Sequence, residues 1–216
     1  ITCGYGVDDP DKEHHFKTAT EDVTKAYAYK TALALNADYS MVSVSGYGII
    51  SGFTNDGNKI PEQTIPQYYD KLGFSYNKFA DSITVSEIEW DFERYKPDII
   101  VINLGTNDMS YTTTDERKAE FEDGYLDFLK KVRSLNPDSY IFQTYGVMGT
   151  SLEKNIENVR RKYMSETGDE RITFIPLTMQ DEDADGIVAD WHPSPRTHSL
   201  VSQKVTAAIK KTLGYK

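Results

Sequence analysis

The sequence has little cysteine, no excess of positive charge and no long apolar run. Its 216 residues contain one cysteine, Cys3, so no disulfide can form within the chain and the fold must depend on a hydrophobic core. With 34 acidic and 24 basic residues, the formal net charge is −10 at pH 7. Such a surface repels nucleic-acid phosphates and anionic membranes, and we expect neither of them as a partner.

No apolar segment approaches the roughly 20 residues that span a bilayer, and no charged-then-apolar signal segment stands at the N-terminus. Hydrophobic residues make up 38% of the sequence, which suffices for a proper core. We therefore expect a soluble globular protein that forms one domain over residues 1–216. Cys3 has no second cysteine and no histidine close to it in the sequence, and we interpret it as a small buried side chain.

Strand and helix patterns alternate along the second half of the chain. Strands are predicted over residues 98–104, 140–144 and 172–177, and the clearest helix over residues 114–135. This alternation predicts an α/β fold, a three-layer α/β/α sandwich with a mostly parallel central sheet. The other predicted elements are a helix over 21–36, a strand over 39–44, a short helix around 66–72 within an irregular insertion over 49–88, helices over 85–95 and 152–166, and a last helix with Ser194 as N-cap and Pro195 at its first position.

The chain opens on a glycine-rich turn, residues 1–6, without a strand before it. Its later part has the strand-then-helix order of a parallel sheet, in which a strand normally comes first. We therefore expect the first strand to lie upstream of Ile1, which would make the domain N-terminally incomplete.

Two of the predicted strands end in turns that carry hydrogen-bond donors. Gly46 comes after the strand over 39–44, and Asn107 comes after the strand over 98–104. Because the carboxyl ends of parallel strands open onto one crevice, we expect the Gly46 backbone N–H and the Asn107 side-chain amide to lie close together. Such donors stabilise the oxyanion of acyl transfer, so the two residues form a candidate oxyanion hole. On its own, the turn at Asn107 is equally typical of an ordinary connection between strand and helix.

A candidate base lies in the loop before the last helix. His192 stands there with Asp190 two positions before it. A histidine can take the proton of a hydroxyl nucleophile at neutral pH, and a carboxylate can orient it. We therefore interpret His192 as a general base and Asp190 as the residue that orients it.

The order of Gly46, residues 105–108 and His192 resembles the SGNH/GDSL hydrolase superfamily. The blocks of that superfamily include Gly-Asp-Ser, a glycine, Gly-x-Asn-Asp and a late histidine, of which the last three match here. Residues 1–6 look like the segment directly after the family's Gly-Asp-Ser. The resemblance therefore implies that the nucleophilic serine lies immediately before Ile1, outside the chain.

Many relatives in the superfamily place the orienting aspartate three residues before the histidine. In this sequence that position is Ala189, so Asp190 is the substitute.

Nearly all of the chain resembles carbohydrate esterase family 2 more closely, through residues 1–6, 90–92, 101–108 and 190–194. This resemblance implies a flavodoxin-like SGNH fold and a serine-type esterase with a Ser-His-Asp triad. Its substrates would be acetylated plant polysaccharides such as xylan and glucomannan, or their oligosaccharides. It also implies a secreted or cell-surface bacterial protein with a small β-sandwich domain upstream.

Aromatic side chains flank the proposed site, and no cofactor is needed beside them. Tyr47 comes directly after Gly46 and Trp191 precedes His192, and such rings commonly stack on sugars, so both are candidate substrate-binding residues. A hydroxyl nucleophile with a histidine base supplies the attack unaided, so we expect no cofactor and no metal. Residues 181–192 imitate an EF-hand loop, but histidine stands at the twelfth position where that loop has glutamate.

Other functions are compatible with the same residues. Without a nucleophile the chain would be a catalytically silent sugar-binding module, and with one it could transfer the acyl group to an acceptor other than water or act as a general short-chain esterase. The residue before Ile1 separates catalysis from binding alone. The spacing of Gly46, Gly48 and Gly52 also resembles a dinucleotide-binding loop, but no helix begins directly after it, so we do not favour that interpretation.

Overall fold

A computed structural model describes residues 1–74, 78–79 and 82–215. The chain divides into two compact units, each made of segments that are distant in sequence. The first unit comprises Ile1–Ser45, Tyr145–Thr150 and Ile175–Lys216, and the second comprises Gly46–Thr144 and Ser151–Phe174.

Helices and strands alternate over most of the described residues after 98. The α-helices are α1 (Tyr27–Ala34), α2 (Asp115–Leu135), α3 (Glu153–Thr167), α4 (Glu182–Asp185) and α5 (Pro195–Leu213). The strands are β1 (Ile99–Asn103), β2 (Tyr140–Tyr145), β3 (Ile172–Pro176), β4 (Ile187–Val188) and β5 (His192–Pro193). Among all the described residues, no helix is long and apolar enough to cross a membrane.

Strands β1, β2 and β3 form a sheet in that order. Strand β1 pairs with β2 in parallel, with Ile99 opposite Tyr140 and Asn103 opposite Thr144. All of β2 after its first residue is buried, as expected for a strand covered on both faces. The predicted α/β fold with a parallel sheet is confirmed, and the carboxyl end of β1 delivers the chain to Asn107.

Helix α2 shows why the sequence pattern is informative. The side chain of Thr114 caps its N-terminus by accepting a hydrogen bond from the Arg117 N–H, and Asp115 and Glu116 complement the helix dipole. Its buried face, which packs on α3, consists of side chains at helical spacing. These side chains are Phe121, Tyr125, Leu126, Phe128, Leu129 and Val132.

The first unit places α5 against α1 and leads into α5 through the β4–β5 hairpin. Ser194 caps α5 by accepting a hydrogen bond from the Thr197 N–H, and Pro195 is its first residue, as predicted. In the hairpin, Val188 pairs with His192. The candidate base is therefore fixed between a strand ladder and the start of a long helix.

Some predicted elements are shorter in the structure, and one is missing. The helix predicted over 21–36 begins with a 3₁₀ turn, Val23–Lys25, because the Asp22 side chain caps Thr24, and only then continues as α1. The helices predicted around 66–72 and over 85–95 are the 3₁₀ turns Ile65–Gln67 and Val85–Glu87. Residues 39–44, predicted as a strand, pair with no strand of the described chain and are exposed or half-buried. The irregular insertion predicted over 49–88 includes residues 75–77 and 80–81, which lie outside the described residues.

Candidate active site

The ring of His192 is held by hydrogen bonding to the main chain. Its Nδ1 lies 2.9 Å from the backbone carbonyl oxygen of Asp190. Because a carbonyl can only accept, Nδ1 carries the proton and Nε2 is left with its lone pair. That is the tautomer a general base needs.

The backbone around Asp190 is bent to make this contact. Asp190 has a φ of +50° and Trp191 a φ of +56°, both in the left-handed region that side-chain-bearing residues rarely occupy. Such a conformation costs roughly 1–3 kcal/mol per residue and persists only where surrounding contacts hold it. One of these is the hydrogen bond of 2.8 Å from Gln180 Nε2 to the Trp191 carbonyl oxygen. Strain of this kind is typical of functional sites.

The electrostatic surroundings keep His192 neutral. Burial is the largest cause that lowers the pKa of His192, to about 4. The imidazole is therefore unprotonated at pH 7 and able to accept a proton.

The carboxylate of Asp190 points to partners other than His192. Its Oδ2 accepts hydrogen bonds from the Tyr5 hydroxyl at 2.7 Å and the Phe16 N–H at 2.8 Å, and its Oδ1 lies 2.8 Å from Nδ1 of His15. Burial acts to raise the pKa of Asp190, but these hydrogen bonds outweigh it and lower the pKa. The direct contact with His192 therefore comes from the backbone carbonyl of Asp190, whereas the triad implied by family resemblance would use the carboxylate.

Asn107 lies after β1, at the start of the 3₁₀ turn Asp108–Ser110. Its side-chain Nδ2 donates a hydrogen bond of 2.7 Å to the backbone carbonyl oxygen of Tyr47. An amide nitrogen has two hydrogens, so this bond fixes the side chain and uses one of them. The second N–H has the chemistry that an oxyanion donor requires.

Gly46 begins the turn that Asn107 contacts. It has a φ of +79°, and a Cβ built on it would meet no atom within 4 Å. Its carbonyl oxygen accepts a hydrogen bond of 2.8 Å from the Phe53 N–H, which closes the turn. Glycine is therefore favoured at position 46 by its positive φ, and the space beside it is open.

The side chain that shapes this turn is Asp108. It is fully buried, and its carboxylate accepts hydrogen bonds of 2.8–3.2 Å from the backbone N–H groups of Ile49, Ile50 and Ser51. Burial raises the pKa of Asp108, while the three N–H donors oppose that rise. Gly48 is required here, because a Cβ on it would lie 2.1 Å from the Ser51 carbonyl oxygen and 2.4 Å from Asp108 Oδ2. Sequence reasoning did not single out Asp108, although the Gly-x-Asn-Asp block contains it.

The two aromatic residues predicted to bind substrate differ in exposure. Tyr47 is only 6% exposed, and its ring packs against Tyr68 and Phe74 at centroid distances of 6.0 Å and 5.4 Å. It belongs to an aromatic cluster in the core and offers little surface to a sugar, and its role in substrate binding stays a prediction. Trp191 is 48% exposed and keeps the open ring that stacking needs.

The acidic segment that imitates an EF-hand loop has structural roles instead. Asp181 caps α4 by accepting from the Ala184 N–H at 2.9 Å, and Asp185 pairs with Arg196 at 2.7 Å. Among the described residues no cluster of three or more histidine, cysteine, aspartate or glutamate side chains could hold a metal ion.

A neutral imidazole, an anchored amide and a parallel α/β sheet are features that hydrolases of the SGNH type use. A family model described as GDSL-like lipase/acylhydrolase matches residues 1–200, and the chain belongs to this family. The fold class predicted from the sequence and the resemblance to the SGNH/GDSL superfamily are thereby confirmed.

Curated relatives of the chain are larger proteins. The chain is 34% identical to the cellulase/esterase CelE of Acetivibrio thermocellus, over 100% of its own length and 25% of that protein. It is 25% identical to an acetylxylan esterase / glucomannan deacetylase of Cellvibrio japonicus, over 100% of its own length and 55% of that protein. The chain thus spans between a quarter and about half the length of these relatives.

Solved structures show the same fold. An acetyl xylan esterase, Est2A, from the rumen bacterium Butyrivibrio proteoclasticus matches with a TM-score of 0.89 and 26% identity, over 100% of this chain and 62% of that one. A family two carbohydrate esterase from Clostridium thermocellum in complex with cellohexaose matches with a TM-score of 0.82 and 32% identity, again over 100% and 62%. The resemblance to carbohydrate esterase family 2 is confirmed by these structures.

Proposed function

We propose that this chain is the catalytic domain of a serine-type esterase that removes O-acetyl groups from carbohydrate. The observation that carries the proposal is the hydrogen bond from His192 Nδ1 to the Asp190 carbonyl oxygen, which leaves Nε2 unprotonated as a base. The esterases among its relatives support the same reaction class.

The nucleophile we propose is a serine joined directly to Ile1. Its position is supported by the stacking of Tyr5 on the His192 ring at a centroid distance of 3.9 Å, which brings residues 1–6 to the imidazole. A serine directly before Ile1 would therefore lie close to that ring. Cys3 is a poor substitute for it, since this side chain is half-buried and burial raises the pKa of its thiol.

The reaction would take the acyl-enzyme route. The serine oxygen attacks the acetyl carbonyl carbon while His192 Nε2 takes its proton, a role worth roughly 100- to 10,000-fold in rate. The resulting oxyanion would accept hydrogen bonds from Asn107 Nδ2 and the Gly46 N–H, each donor contributing about 100- to 1,000-fold. His192 then returns the proton to the departing sugar oxygen. Water repeats the sequence on the acetyl-serine and releases acetate.

The proposed substrate is an acetylated plant polysaccharide such as xylan or glucomannan, or an oligosaccharide from it. Trp191, exposed and next to His192, would stack on a sugar ring. A formal net charge of −10 is compatible with such neutral chains. A polymeric substrate of this kind would be met outside the cell, so we propose a secreted or cell-surface bacterial protein, with the first strand and a β-sandwich domain upstream.

Two measurements on the full-length protein test the proposal. Acetate release from acetylated xylan and glucomannan should be readily detected, and a fluorophosphonate should label the serine before Ile1, located by peptide mass mapping. His192→Ala should lower acetate release by at least about 100-fold while circular dichroism stays unchanged.

His15→Ala is the matched control for His192→Ala, since the His15 side chain is 93% exposed. It should retain far more activity. A fully active His192→Ala variant, or a label elsewhere in the chain, would refute the assignment. Sugar binding without labelling or acetate release would identify a binding module instead.

A further inference from the structure

We propose that Tyr5 is a positioning residue for His192, holding the plane of the imidazole by stacking on it. The inference rests on the proposed function of His192 as the base. From the sequence, residues 1–6 are only the segment next to the nucleophile, and nothing in that pattern assigns a role to the tyrosine.

The first observation is the contact between the two rings. The Tyr5 and His192 centroids are 3.9 Å apart with an interplanar angle of 24°, a close stacked arrangement. On the tyrosine, Phe16 stacks at 4.4 Å and 27°. Phe16, Tyr5 and His192 therefore form a run of three rings, which we call the Tyr5 stack.

The second observation is that the hydroxyl of Tyr5 is tied to the residue that also holds His192. It donates a hydrogen bond of 2.7 Å to Asp190 Oδ2, which also accepts from the Phe16 N–H at 2.8 Å. Asp190 thus binds His192 through its carbonyl and the other two members of the stack through its carboxylate. The carboxylate is linked to His192 through Tyr5, whose hydroxyl donates to the carboxylate and whose ring stacks on the imidazole.

The third observation is the pair of glycines that flank Tyr5. Gly4 has a φ of +78° and Gly6 a φ of +60°, which favour glycine. A Cβ on Gly4 would lie 2.2 Å from the Asp22 carbonyl oxygen, and one on Gly6 would lie 2.8 Å from the Ala189 Cβ. Glycine is therefore needed at position 4 for the close approach to Asp22 and at position 6 for the close approach to Ala189, and the second approach brings Tyr5 to the histidine loop.

A stacked neighbour supplies what hydrogen bonds to the main chain do not. Such bonds fix the edge of the imidazole but leave the plane of the ring free to rock about that edge. A flat face at 3.9 Å restricts the rocking and so sets the direction of the Nε2 lone pair. Proton transfer depends on this alignment, and a misplacement of about 1 Å can cost on the order of 100-fold in rate.

Kinetics of three variants test the role. Tyr5→Leu removes the flat face and should lower kcat by about 10- to 100-fold with KM unchanged, since the substrate does not need the ring to bind. Tyr5→Phe keeps the face, loses only the tether to Asp190 and should recover most of the activity. Tyr39→Leu is the matched control, because Tyr39 is 47% exposed and lies in the same unit, and it should behave like the wild type.

A spectroscopic measurement tests the stack independently of activity and of any variant's folding. In the proton NMR spectrum of the full-length protein, the ring current of Tyr5 should shift the imidazole protons of His192 upfield, with the resonances assigned by their loss in His192→Gln. Tyr5→Phe should preserve the shift.

The outcomes separate this inference from the proposed function. An unshifted His192 resonance, wild-type kcat in a folded Tyr5→Leu, or an equal loss in Tyr5→Phe and Tyr5→Leu would each overturn the role of the Tyr5 stack. Absence of acetate release from the wild type would instead refute the esterase, while the NMR shift would still report whether the rings stack.

Discussion

At the scale of single residues, the chemistry of this chain depends on which atom of Asp190 faces His192. The carbonyl oxygen takes the Nδ1–H at 2.9 Å, and the carboxylate is engaged by Tyr5, His15 and Phe16. A carbonyl selects the tautomer as well as a carboxylate does, but it carries no full charge to stabilise the imidazolium. Substitution of the side chain should therefore leave the essential contact in place.

This predicts that Asp190→Asn reduces kcat much less than His192→Ala does, with a loss on the order of 10-fold or less for the asparagine variant. Asparagine also tolerates the left-handed φ of +50° at this position. Asp190→Ala is the useful comparison, since alanine adds backbone strain to the loss of the carboxylate and should be more harmful. A loss in Asp190→Asn equal to that in His192→Ala would show that the carboxylate itself acts on the base.

At the scale of elements, the turn after Gly46 is shaped by a buried charge. Asp108 lies 57–59 residues further along the chain, and its carboxylate accepts hydrogen bonds from three backbone N–H groups of this turn. Hydrogen bonds to a charged acceptor contribute about 1.5–3 kcal/mol each, and a buried donor left without one is costly. The turn that presents the Gly46 N–H is therefore rigid because of Asp108.

Asp108→Asn should accordingly lower the free energy of unfolding by about 1–3 kcal/mol, because only Oδ1 remains an acceptor and the new amide group replaces Oδ2, which accepts from the Ile49 N–H. Urea unfolding at pH 7 measures this. Asp123→Asn, which removes an exposed carboxylate paired with Lys162, is the matched control and should change stability by less than about 1 kcal/mol. Equal stability of Asp108→Asn and the wild type would mean that the turn does not depend on the carboxylate.

How well each element could be predicted depended on the range of the interactions that form it. Helix α2 carries its own cap and apolar stripe, so its bounds were predicted to within one residue. The strand predicted over 39–44 has the right composition but pairs with no strand of the described chain, and a strand pattern without a neighbour forms no ladder. The helix predicted over 85–95 contains acidic and aromatic residues at suitable spacing, yet only the 3₁₀ turn Val85–Glu87 forms.

At the scale of the whole molecule, the half-buried His192 and the buried His198 make stability depend on pH. Burial is the main cause that lowers the pKa of His192 to about 4 and that of His198 to about 3. The Nδ1 of His198 also accepts a hydrogen bond of 3.1 Å from the Tyr27 N–H, which protonation would break. Both groups are therefore neutral in the folded protein over a pH range in which they are protonated when unfolded.

Between pH 6.5 and about 4 the unfolded state binds more protons than the folded state, so stability should be complete above pH 6.5 and decline as pH falls through this window. The expected loss by pH 4 is on the order of several kcal/mol. Urea midpoints measured from pH 7 to pH 4 test this. His198→Gln should show a shallower decline, and a wild-type midpoint that is constant across the window would contradict the burial of these histidines.

The sequence alone determined the alternation of strands and helices, because periodicity and caps are local and can be recognised along the chain. Its turn motifs also identified Gly46, Asn107 and His192 as candidate site residues. Tertiary structure alone decided that Tyr47 belongs to the core and that Tyr5 meets Asp190 across 185 residues. It also decided that a backbone carbonyl holds the His192 ring. The physical reason is that these contacts depend on left-handed backbone at Asp190 and Trp191 and on close packing of segments distant in sequence, which residue types by themselves do not specify.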